Sequence, residues 1–130
     1  MTREPKWIDK RALLLLHEES LAAFGGARGM RDEGLLDSAL ARPVNKFLYE
    51  KIHDLAALAA AYGFGIARNH AFVDGNKRAA YLAMGLFIAI NGKRLRPDQL
   101  DAIQTVLALA AGNIDEAVLA KWMGANLRAR

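Results

Sequence analysis

"DLAALAAAYGFGIARNHAFVDGNKRAAYLAMGLFIAIN" occupies residues 54–91. Two stretches of it, 55–67 and 79–90, are apolar all round and carry no charge. Each is too short for the ~20 apolar residues of a membrane span. Helices without a polar face belong in the middle of a bundle. The stretch therefore predicts two central helices, over 54–68 and 76–90, the second ending at Asn91-Gly92. Between them, residues 70–78 gather a histidine, an acid, a glycine, an amide and two cations. A loop held between two buried helices is kept still, and catalytic groups need that support.

Weaker helices surround this pair. "KRALLLLHEESLAAF" follows Asp9, an N-cap, and stops at Gly25-Gly26, which predicts a helix over 9–24 with His17 on its solvated side. "GGARG" reads as a helix stop and turn. "DEGLLDSALAR" starts a second helix near Asp32 that is expected to stop before Pro43. "PVNKFLYEK", residues 43–51, then reads as irregular or extended chain: a plain connection, or a flap that aligns a target segment. A fifth helix is predicted from Pro97 in its first turn, and a sixth over 114–127. The expected fold is all-α, a bundle of about six helices in one domain, 1–130.

The totals agree. A chain of 130 residues, 53% hydrophobic, suits one domain with its own core. It has no cysteine, so neither disulfides nor thiolate metal sites are expected. The first ten residues lack a signal-peptide apolar core, and a cytoplasmic protein with no membrane association is expected. The net charge is +4 and the pI about 9.6, with cations spread rather than blocked. That favours phosphate-rich or acidic partners without pointing to direct nucleic-acid binding.

The polar loop is where chemistry concentrates. Gly75 and Asn76 open a helix, where free N–H groups and the helix dipole favour an anion. Lys77 and Arg78 add full positive charge. Asp74 is the one carboxylate there, and a carboxylate beside a phosphate site suggests Mg²⁺ between them. His70 suits taking a proton from a hydroxyl. Together these parts describe phosphoryl or nucleotidyl transfer. Each residue also has a plain reading: Asp74 as an N-cap, "DGN" as a turn, Phe72 as a core anchor, Arg68 as a C-terminal cap of its helix. The Walker spacing is missing, and His17, His53 and His70 show no metal-ligand spacing.

"HAFVDGNKR" resembles the Fic/Doc family signature H-x-F-x-[DE]-[GA]-N-x-R through His70, Phe72, Asp74, Gly75, Asn76 and Arg78. "GGARGMRDEGLLDSALARP" before it and "LFIAINGKRL" after it look like the death-on-curing toxin branch. The resemblance spans roughly residues 10–127 and implies an all-helical fold with the motif between the two central helices. It implies transfer of part of ATP to a protein hydroxyl. His70 would be the general base and Asp74 the Mg²⁺ ligand. Gly75, Asn76, Lys77 and Arg78 would hold phosphates, with Arg68 as an accessory contact.

Two departures bear on the reaction. Members that transfer AMP usually read G-N-G-R-x-x-R, where this chain has Lys77 and Tyr81. Lys77 places an ammonium where those members have bare backbone, as in the death-on-curing branch, whose toxins phosphorylate a threonine of elongation factor Tu and stop translation. The resemblance thus implies the kinase toxin of a type II toxin–antitoxin pair. An AMP transferase is the alternative within the fold, and a non-catalytic nucleotide or nucleic-acid binding module the alternative outside it. The inhibitory pattern [ST]-x-x-x-E-[GN] is missing: Glu33 precedes Gly34, but Gly29 stands four residues earlier. Restraint is expected from an antitoxin in trans.

Overall fold

The computed structural model describes residues 3–129. Its elements are α1 (Lys10–Phe24), α2 (Glu33–Tyr49), α3 (Leu55–Asn69), α4 (Asn76–Ile90), β1 (Lys93–Leu95), α5 (Gln99–Ala111), α6 (Glu116–Ala125) and β2 (Leu127–Ala129). Helix α3 is the axis and packs against α4, α2 and α6, while α1 lies on α4. Its alanines bring its neighbours close, and Gly63 is a point of direct approach, because a Cβ there would run into the Met84 side chain. Leu58, Tyr62, Ile66, Met84, Phe87 and Ile88 fill the space between the helices. Both apolar stretches are therefore central, as their lack of a polar face predicts. No helix among the described residues is long and apolar enough to cross a membrane.

Three expectations are corrected. Helix α2 does not stop before Pro43 but runs through it to Tyr49. A proline inside a helix costs about 3 kcal/mol, yet Leu36, Ala39 and Pro43 are all buried on one stripe. Phe47 continues that stripe and meets Trp7 edge-on at 5.7 Å. Burial of this face outweighs the missing N–H. Residues 43–49 are thus helical and form no flap. Asp32 N donates to Ala71 O beside the motif loop, at 3.0 Å. From there 17 helical residues carry Tyr49 about 25 Å away.

The fifth helix begins after Pro97, with Asp98 as its N-cap. The sixth ends at Ala125, where the Asn126 side chain bonds Trp122 O at 2.8 Å. Residues 127–129 instead pair antiparallel with β1, Leu95 opposite Leu127. The fold is mostly helical with a small two-stranded sheet.

Candidate active site

The loop between α3 and α4 is gripped from both sides. Helix α3 ends on His70, whose backbone is left-handed, φ 51 and ψ 49. That conformation is uncommon for a residue with a Cβ. Arg31, from the α1–α2 connection, holds it: Nε donates to His70 O at 2.8 Å and Nη2 to Asn69 O at 3.2 Å. The guanidinium thus caps carbonyls that the end of a helix leaves without partners. Asn69 is tied to α2 through Nδ2 and Leu35 O, 2.9 Å. The His70 side chain is exposed, and its imidazole has no protein partner among the described residues.

The next residues run antiparallel to the α1–α2 connection. Arg31 N donates to Ala71 O at 2.8 Å, Val73 N donates to Gly29 O at 3.0 Å, and Met30 faces Phe72. Phe72 is buried, as a core anchor should be. The Asn76 amide closes the loop: Oδ1 accepts from Phe72 N and Nδ2 donates to Phe72 O, both at 3.0 Å.

Asp74 and Gly75 form the turn into α4. Gly75 has φ 75, a conformation that favours glycine. A Cβ there would also stand 3.0 Å from His17 Nε2 and 3.2 Å from Leu21 Cδ2. Asp74 Oδ1 accepts from Gly75 N at 2.7 Å and Oδ2 from Ala27 N at 3.1 Å. The N–H groups of Ala27 and Gly75, helped by the charge of Arg78, hold the carboxyl below its ordinary value and keep it ionised. No side chain caps α4, and its first backbone bond is Ala79 N to Gly75 O. The N–H groups of Asn76, Lys77 and Arg78 have no protein partner among the described residues, and they lie at the positive end of the helix dipole.

Arg78 spends part of its fork on α1. Nη1 donates to Ser20 O at 3.0 Å and to Ser20 Oγ at 3.3 Å, and Nη2 to Gly25 O at 2.8 Å. Lys77 is exposed. Both line a groove of about 570 Å³ with Phe24, Tyr81, Leu95 and Leu107, between the C-terminal end of α1, α4 and α5. Burial raises the Tyr81 phenol above its ordinary value.

The structure thus brings His70, Asp74, Gly75, Asn76, Lys77 and Arg78 into one loop and helix start. It does not bring Arg68 there: the guanidinium lies over the Phe64 ring, 5.2 Å from its centroid. His17 is the correction. It is not solvated but 5% exposed, and its Nε2 donates to Asp74 O at 2.8 Å. Its ring stacks on Phe72, centroids 3.8 Å apart. The signal was present in the spacing, since Leu13, His17 and Leu21 share the buried stripe of α1. Arg31 and Ala27 carried no local signal, because their partners lie 39 and 47 residues away in sequence.

The model of the Fic/DOC family matches residues 7–88, a span that includes the whole loop. A protein of phage P1 of Escherichia named "Protein kinase doc" is 33% identical over 107 residues, 82% of this chain and 84% of that protein. "Toxin Doc" of Mycolicibacterium smegmatis is 48% identical over 77 residues, 58% of this chain and 59% of that protein. The match thus spans about three-fifths of the mycobacterial protein. The match over residues 7–88 identifies the chain as a member of the Fic/DOC family.

Proposed function

We propose that this chain is the toxin of a type II toxin–antitoxin pair and acts as a protein kinase, moving the γ-phosphoryl group of ATP onto a serine or threonine hydroxyl of a protein target. One observation carries the reading. Among the described residues, three unpartnered N–H groups, two cations and an ionised Asp74 meet at the start of α4, one short loop from an unpartnered His70 imidazole. The likeness to a phage protein named a kinase supports the same class.

Asp74 fits Mg²⁺. Its carboxylate is exposed and held ionised, and each oxygen accepts only one N–H, which leaves a lone pair. No cluster of three or more His, Cys, Asp or Glu side chains stands among the described residues. Phosphate and water oxygens would complete the shell, as magnesium favours. When bound, the ion supplies charge neutralisation at the phosphates.

The chain's own groups do the rest. The N–H groups of Asn76, Lys77 and Arg78 bind phosphate oxygens at no cost in rearrangement, because Asn76 and His17 already hold the turn. His70 takes the proton of the target hydroxyl. The hydroxyl oxygen bonds to the γ-phosphorus, the bond from that phosphorus to the bridging oxygen breaks, and ADP leaves with the electron pair. Lys77 attracts the γ-phosphate to the His70 side of the loop. In this reading the target is a cytoplasmic translation factor, elongation factor Tu being the first to test. The antitoxin covers the apolar groove, whose cationic rim of Lys77, Arg78 and Arg96 suits an acidic amphipathic segment.

The test is incubation of the protein with cell extract and Mg-ATP labelled at the γ-phosphorus in one tube and the α-phosphorus in another. Transfer of γ-label alone is expected, on one dominant protein. Transfer of α-label replaces the kinase with an AMP transferase, and no transfer with nucleotide still bound leaves a binding module.

A further inference from the structure

We propose that His17 is a positioning residue of this site: its imidazole fixes the Asp74–Gly75 peptide and so sets the Asp74 carboxylate. The inference rests on the transfer reading above. Four observations carry it. His17 is the buried polar side chain of α1, flanked on its stripe by Leu13 and Leu21. Its Nε2 stands 2.8 Å from Asp74 O, and a carbonyl only accepts, so Nε2 carries the proton. Its ring lies on Phe72, with an interplanar angle of 21°. Gly75 leaves the room for this approach, since a Cβ there would stand 3.0 Å from Nε2.

The bond answers a gap in the helix. The backbone ladder of α4 begins with Ala79 N and Gly75 O, so Asp74 O lies one residue outside it. A peptide that precedes a left-handed glycine rotates easily, because glycine accepts the backbone angles of either orientation. A fixed donor on Asp74 O selects one of them. In that orientation Gly75 N–H meets Asp74 Oδ1 at 2.7 Å, while Oδ2 reaches Ala27 N–H at 3.1 Å. With the peptide turned, Asp74 would hang on Ala27 alone and its carboxylate would leave the start of α4. A packing residue at position 17 needs a flat ring but no N–H. The donor is what separates the two roles.

Two variants of the full chain make that separation. His17→Phe keeps the ring against Phe72 and removes the donor. His17→Gln offers an amide N–H at a similar reach. Each is compared with wild type in γ-phosphate transfer (kcat and KM for ATP), in thermal melting, and in hydrogen exchange of the Gly75 amide without nucleotide. His17→Phe is expected to fold, to transfer about ten- to a hundredfold more slowly and to exchange the Gly75 amide faster. His17→Gln is expected to recover most of the rate and the protection. Wild-type rate and unchanged Gly75 exchange in His17→Phe overturn the proposal. So does a glutamine variant no better than the phenylalanine one, or loss of folding in both, since either makes His17 a core residue. A wild type that moves no γ-phosphate defeats the transfer reading instead, and Gly75 exchange still decides the role of His17.

Discussion

Replacing Asn76 with alanine separates two roles for one side chain. As a phosphate ligand, Asn76 would matter to nucleotide and little to the empty protein. In the structure both ends of its amide are spent on Phe72, at 3.0 Å each. Phe72 is 3% exposed, and the paired strand-like contacts around it use Ala71 O and Val73 N rather than its own groups. Asn76→Ala therefore leaves one N–H and one C=O without partners. An unmet group costs about 1–3 kcal/mol. Partial access of water to Asn76 puts the pair near the lower half of that range, about 2–4 kcal/mol in all. A chain of this size unfolds with an entropy near 270 cal/mol/K, roughly 2.1 per residue, so 1 kcal/mol moves the melting point by about 4 °C. The expected fall is roughly 8–15 °C.

Thermal melts of the nucleotide-free protein, followed by circular dichroism, measure this directly. Asn76→Asp sharpens the comparison. An acid in the first turn is favoured by the helix dipole, and by that effect alone the variant would melt higher. Its second oxygen, however, would face Phe72 O instead of donating to it, so it is expected to melt lower than wild type. An alanine variant within about 2 °C of wild type, or an aspartate variant above it, refutes the clamp.

Four further outcomes follow from the same geometry. His70→Ala should leave the melt unchanged, because the imidazole has no protein partner among the described residues, and slow transfer by about 10²- to 10⁴-fold; a rate near wild type in the labelled-ATP assay removes the base assignment. Arg31→Ala should free the left-handed His70 backbone and slow transfer about tenfold or more while the melt moves only a few degrees, and an unchanged rate would show that the His70 backbone needs no cap. Asp74 has a folded pKa below its ordinary 3.8, so its contribution to stability is full above that value and is lost as pH falls through the lower folded one; Asp74→Asn should weaken the fall in urea midpoint below about pH 4, and parallel pH curves would deny the role of the two N–H donors. Lys77→Gly should lose most γ-transfer without gaining much α-transfer, since Tyr81 still stands where AMP-transferring members have an arginine; retained γ-transfer would make Lys77 a solvated first-turn lysine.

The legible parts of this molecule are those whose causes are local. Helices α3 and α4 could be read because an apolar stretch without a polar face has one place to go. The loop between them could be read because its groups are adjacent in sequence. Pro43 misled because its cost is local and known, while the benefit of burying Leu36, Ala39 and Pro43 against α3 is tertiary. The stripe was nonetheless visible, since Phe47 continues it at helical spacing. His17 misled in a similar way: its charged neighbours Glu18 and Glu19 suggested a solvated face, yet it lies four residues from both Leu13 and Leu21. The strands β1 and β2 had no such trace, for three residues each are too few to show alternation, and their pairing joins positions more than 30 apart in the chain.

What was hidden has a common cause. Residues 70–78 hold the Asp74 carboxylate through the Gly75 N–H but do not by themselves complete that grip or fix the left-handed His70. Arg31, Ala27 and Gly29 do so from one connection, and His17 and Ser20 from one helix. The α1–α2 connection is therefore part of the site although it contributes none of the expected phosphate, base or metal groups. Gly26 shows how tightly the two are joined: a Cβ there would stand 2.7 Å from Leu21 Cδ2 and 3.0 Å from Asp74 Oδ2. Substitutions across 26–31 should then act as site mutations, lowering transfer more than stability, while those in residues 43–49, roughly 16–25 Å along α2 from Asp32, should act through the core alone.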